Sequence, residues 1–222
     1  MGTTLLLRIF GALRPSQRAM SFPVRYSPSR RPLRAGARGV AALMLLVGCG
    51  GGDGLTSPAS FENVTRVYSV YALTGTSTAF PAAYQFTSES LIRPQLLQNG
   101  SINFDIAFDI GADGRVRILP VRAVVPAPPN AAPPIGVLRI AQSFDATGRA
   151  PEKGYLTDSI AVAGVGETFV FQLLASGCIY QEAFYAKLSI DSIIPSERRM
   201  VVRSLVNRNC GFRGLSEGLP KN

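Results

Sequence analysis

Residues 102–110 read Ile-Asn-Phe-Asp-Ile-Ala-Phe-Asp-Ile. Every even position is large and apolar, and every odd position is polar or small. That period of two is the mark of a β-strand with one buried face, because successive side chains point to opposite sides of the sheet. Beyond Gly111-Ala112-Asp113-Gly114, the segment Arg115-Val116-Arg117-Ile118 again places apolar side chains at even positions, so the stretch predicts a β-hairpin. Facing residues share a side of the sheet, so their numbers must sum to an even value. A sum of 224 sets Asp109 opposite Arg115 across a three-residue loop, and a sum of 226 sets Asp109 opposite Arg117 across five. The Asp-Gly step favours the shorter loop, with Gly114 in a left-handed bulge. Either register puts opposite charges together on a wet face, worth about 0.2–1 kcal/mol.

The same signature extends in both directions. Runs rich in Val, Ile, Tyr, Phe and Thr predict strands over 65–73, 82–87, 135–143, 156–161, 167–175, 183–191 and 200–207. Lys187 and Ser189 alternate with Leu188 and Ile190 and read as a solvated face. Turn signals separate the runs at Gly75, Asn99-Gly100, Thr147-Gly148, Gly164–Gly166 and Ile194-Pro195-Ser196. Ser88–Gln98 is the one stretch with short-helix character, and Pro94 interrupts it. Many short strands at regular spacing predict an all-β domain over 61–222, a single antiparallel β-sandwich or small barrel. The segment Val125–Pro134 carries five prolines. Proline lacks the ladder donor, so this segment reads as an extended crossover loop, with a polyproline ligand for a partner as the alternative.

Cys178 and Cys210 flank the last two strands, 32 residues apart, each beside turn residues. A bridge between them ties the C-terminal segment to the preceding hairpin. A metal or redox pair is the rival reading. A metal site needs more thiolate or imidazole ligands than two separated cysteines, and the chain has no His.

The same absence removes Ser-His-Asp and Cys-His catalysis. Gly164-Val165-Gly166-Glu167 is too short for a dinucleotide loop. Asp109–Gly114 has part of a calcium-loop pattern but no ligand at its third position, and Pro120 stands where Glu is needed. Asp105 and Asp109 lie on one strand face and read as a solvated surface beside arginines. Tyr68, Tyr71 and Tyr84 read as half-buried sheet tyrosines, with a carbohydrate or protein contact patch as the sharper alternative. Glu197-Arg198-Arg199 reads as a solvated turn. No pattern points to a catalytic residue, a cofactor or a metal.

The net charge of +9 is unevenly placed. Residues 1–49 carry eight arginines and no acid, whereas the rest of the chain holds 15 basic and 14 acidic residues. A nucleic-acid surface requires its cations on the folded domain, so nucleic-acid binding is not expected. The basic stretch runs into ten uncharged residues, Gly39–Gly48, which end at Cys49 and dissolve into Gly50-Gly51-Gly52-Asp53. A positive region followed by a short apolar run has the form of a secretory signal, and it falls short of the roughly 20 residues that span a bilayer. Measured from Met1 the signal has 48 residues and from Met20 it has 29, against a usual length of about 15–30, which points to Met20 as the start. Ser29-Arg30-Arg31-Pro32-Leu33-Arg34 is similar to a twin-arginine export signal.

Leu46-Val47-Gly48-Cys49 resembles the lipobox of bacterial lipoproteins, at the place in the leader where that box belongs. The resemblance implies that the Cys49 thiol receives a diacylglyceryl group and that the leader, residues 1–48, is cut off before it. The new amine of Cys49 is often acylated as well in that family. Residues 49–60 then form a lipidated cysteine and a flexible tether. Gly50 after the cysteine fits the outer-membrane sorting pattern of Gram-negative lipoproteins. The expectation is therefore an envelope protein anchored by lipid, facing the periplasm, with a non-catalytic binding, scaffold or assembly role and a possible protein partner. The alternative is a β-barrel or sandwich that carries a small or lipidic ligand, which would require an internal cavity.

Overall fold

The computed structural model describes residues 58–95, 97–98, 102–125, 132–174, 178 and 182–221. The leader, Cys49 with Leu46, Val47 and Gly48, the tether through residue 57, the Asn99-Gly100 turn signal and residues 126–131 of the proline segment lie outside them. The described chain forms strands β1 (Thr65–Tyr71), β2 (Ala83–Gln85), β3 (Ser90–Ile92), β4 (Ile106–Ile110) and β5 (Val116–Pro120). A one-turn helix α1 (Val121–Val124) follows, then β6 (Ile135–Ile140), β7 (Leu156–Thr157), β8 (Ala161–Ala163), β9 (Thr168–Leu174), β10 (Ala183–Ile194) and β11 (Arg199–Asn207). A six-stranded sheet has the order β1-β11-β10-β9-β6-β7, and a five-stranded sheet has the order β3-β2-β4-β5-β8. All paired neighbours are antiparallel. The two sheets pack together as a sandwich and do not close into a barrel.

The alternation in the sequence builds this interior. Ile106, Phe108 and Ile118 from the five-stranded sheet meet Phe169, Phe171, Leu188 and Ile190 from the six-stranded sheet, all fully buried. Each such side chain contributes about 1.5–3 kcal/mol relative to exposure. Phe86 and Phe171 meet at 5.1 Å between ring centroids, and the buried Tyr84 hydroxyl lies 3.1 Å from Ser204 Oγ on β11.

Several local expectations give way to tertiary pairing. The hairpin register sums to 226, so Asp109 faces Arg117. Gly111 N–H bonds Arg115 O, which leaves Ala112-Asp113-Gly114 as the turn, with Gly114 left-handed at φ 74° as the Asp-Gly step requires. The strand begins only at Ile106, because Asp105 turns its carboxylate to accept the Phe86 N–H at 2.7 Å. The predicted strand over 156–161 divides at Asp158, which is left-handed at φ 50° and carries the chain from β7 in one sheet to β8 in the other. The helix-like stretch from Ser88 contains strand β3 instead, paired to β2 from Ala83↔Ile92 to Gln85↔Ser90.

The six-stranded sheet is also covered on its outer face. Phe144, Ala150 and Leu215, from the β6–β7 connection and the C-terminal segment, pack on Val170, Tyr185 and Leu205. Both faces of β10 are thereby buried from Ala183 to Ile190, which corrects the solvated reading of Lys187 and Ser189. The Lys187 ammonium donates to the carbonyls of Phe144 (2.7 Å) and Thr147 (2.9 Å) and sits 4.3 Å from the Phe144 ring centroid. A bulge at Asp191 ends this double burial and turns its carboxylate towards Arg203.

Candidate functional site

Ser60 and Phe61 bring the chain to one end of the sandwich. Their N–H groups donate to Asn209 Oδ1 at 2.7 and 3.0 Å, and Asn209 Nδ2 donates to Phe61 O at 2.8 Å. Asn209 is held by the fully buried Asn207, whose Oδ1 accepts from its backbone and side-chain N–H groups at 3.0 and 2.9 Å. The next residue, Cys210, forms a disulfide with Cys178, the pair expected from the sequence. The clasp on the incoming chain and the covalent bridge therefore occupy adjacent positions after β11.

Arg208, on the other side of Asn209, stacks its guanidinium 4.8 Å from the Phe61 ring centroid and pairs with Glu89 at 3.1 Å. Glu89 also pairs with Arg66 at 2.9 Å, and its carbonyl accepts from the Tyr68 hydroxyl. The Glu89 backbone is left-handed at φ 49°, a conformation that costs about 1 kcal/mol or more in a non-glycine residue and persists where surrounding bonds impose it. Nothing in the sequence marked Glu89 or Arg208. Their partners lie 23 and 119 positions away for Glu89–Arg66 and Glu89–Arg208, and no local pattern reports such pairing.

Beside Phe61, Arg208 and the disulfide lies a cleft of about 400 Å³. Its apolar lining comes from Phe61, Pro133, Leu173, Leu174, Phe184 and the disulfide, and its polar lining from Thr87, Asp105 and Arg208. Leu173 and Phe184 face each other across β9 and β10, so the cleft is the mouth of the main core. Asp105 does not stand on a solvated strand surface as its spacing suggested. Burial in the cleft wall raises its carboxyl above the usual range, opposed by the hydrogen bond from Phe86 N–H. Asp109, at the far end of β4, pairs instead with Arg198 at 3.0 Å.

The tyrosines separate. Tyr84 is fully buried, and desolvation pushes its hydroxyl far above the usual phenol range. Tyr68 packs 5.5 Å from it, while Tyr71 stacks on Phe80 at 4.3 Å. They form no single contact patch. Gly164–Glu167 is the β8–β9 turn, with Gly166 left-handed at φ 80°. Among the described residues no cluster of three or more His, Cys, Asp or Glu is arranged to hold a metal ion. No helix of the described chain is long and apolar enough to cross a membrane.

No protein-family model, no curated protein and no solved structure matches this chain.

Proposed function

We propose that this chain is an exported lipoprotein of the bacterial cell envelope. Cys49 anchors it to the outer membrane facing the periplasm, and its β-sandwich performs a non-catalytic binding role at that surface. The lipobox-like Leu46-Val47-Gly48-Cys49 carries the anchor. The binding role is supported above all by the position of the apolar cleft, which opens beside the point where the tether joins the domain. A ligand carried deep between the sheets has less support. The main core is filled by Tyr84, Phe86, Phe108, Phe169 and Phe171, each with 2% exposure or less.

The test is fractionation of cells expressing the full chain in the presence of labelled palmitate. Label and membrane association should both be lost in Cys49→Ser. A Cys49→Ser chain that stays labelled and membrane-bound overturns the anchor.

A further inference from the structure

We infer that the cleft at the tethered end admits one acyl chain of a membrane lipid, an inference that rests on the anchored reading above. Three observations point to this occupant. The cleft has a mostly apolar lining around about 400 Å³, within the range of small-ligand sites, and its floor is the Leu173–Phe184 cross-strand pair. Its lip is formed by Phe61 and Leu174, 48% and 44% exposed, with the Arg208 guanidinium lying over the Phe61 ring. An aromatic ring and a cation at an apolar mouth suit the boundary between lipid headgroups and acyl chains. Third, eleven residues lie between Cys49 and Phe61, a span of no more than about 40 Å. Once Cys49 is anchored, the bilayer is the apolar phase within reach of this end.

The described surface gives less support to a protein as the occupant. A stable protein interface buries about 800 Å² on each partner. The exposed Val67, Leu156 and Val165 stand on β1, on β7 and just after β8, at three separate sheet edges. Among the described residues, Phe61 and Leu174 are the exposed large apolar side chains that line the cleft. Asp105 is the acidic group in the wall, and burial already moves its carboxyl towards the neutral form, which an acyl chain tolerates.

The experiment uses the mature chain from Cys49 onward. The protein has no tryptophan, so Phe61→Trp introduces a single fluorophore at the lip of the cleft. Cys178 and Cys210 are bridged, so Cys49 is the one remaining thiol. It can be coupled to a maleimide phospholipid in phosphatidylcholine vesicles, whatever the cell does to it. The tryptophan emission should shift to the blue and lose most of its intensity when the vesicle lipid is brominated in mid-chain. Leu174→Asp should remove that quenching, and Leu174→Trp serves as a second reporter if Phe61→Trp fails to fold. Emission typical of water overturns the inference, and so does quenching confined to headgroup-labelled lipid. Because the coupling is chemical, a chain that the cell leaves unlipidated sinks the anchored reading without changing this result.

Discussion

Arg198 and Asp109, 89 residues apart, form a 3.0 Å ion pair that ties the β10–β11 turn to β4 of the opposite sheet. The same guanidinium donates to Thr74 O at 2.7 Å and to Ile110 O at 3.0 Å, and Arg198 itself is left-handed at φ 47°. The expected solvated turn is thus a three-way staple between the sheets. Gly75 belongs to it, since a Cβ there would stand 2.8 Å from Arg198 Nε. Arg198→Ala should destabilise the domain by about 1.5–3 kcal/mol in urea unfolding, the scale of hydrogen bonds to a charged group. Arg198→Lys should recover little, because an ammonium cannot reproduce the planar fork.

The Cys178–Cys210 bridge closes a loop of 32 residues. Its removal in the Cys178→Ala, Cys210→Ala double variant should lower stability by about 3–4 kcal/mol in the loop-entropy picture. Unfolding curves with and without reductant measure this directly. The double variant should respond to neither condition.

Lys187 is buried with its ammonium on two loop carbonyls, and desolvation lowers its pKa below the ordinary 10.5, with Asp145 and Glu217 opposing and Arg203 assisting. At pH values between the folded and unfolded pKa, the unfolded chain binds the extra proton, so stability rises with pH there. The stability difference between the wild type and Lys187→Met should therefore increase as pH approaches 10.5 from below. Lys187→Met should also be destabilised at neutral pH, because the Phe144 and Thr147 carbonyls lose their donor.

Asp105 carries the opposite linkage. Its folded pKa lies above the ordinary 3.8, so the stability that it contributes is fully present below that value and is lost as pH rises through the folded pKa. Asp105→Asn keeps an acceptor for the Phe86 N–H and removes the buried charge. Its stability relative to the wild type should improve from acid to neutral pH, as read from denaturant midpoints across that range.

The hairpin was legible because its alternation is strict: Ile106, Phe108 and Ile110 line the core, and Val116 and Ile118 are buried on either side of the exposed Arg117. Parity narrowed its register to two choices, and the one that the Asp-Gly step favoured is not the one adopted. The disulfide was legible from cysteine count and the absence of histidine. What was not legible depends on coverage from a distance. Lys187 and Ser189 have the spacing of a solvated face, yet the β6–β7 connection lies over them. Glu89 and Arg208 come together only because the turn after β2 and the end of β11 meet at the same end of the sandwich. The cleft is likewise assembled from segments between Phe61 and Cys210, none of which is distinctive alone.

Lipidation of Cys49 is read from the intact mass of the protein purified from its own membrane fraction. The chain should begin at Cys49, be heavier by acyl groups, and gain about two mass units on reduction as the Cys178–Cys210 bridge opens. A chain that begins elsewhere, or that carries no lipid on Cys49, would contradict it.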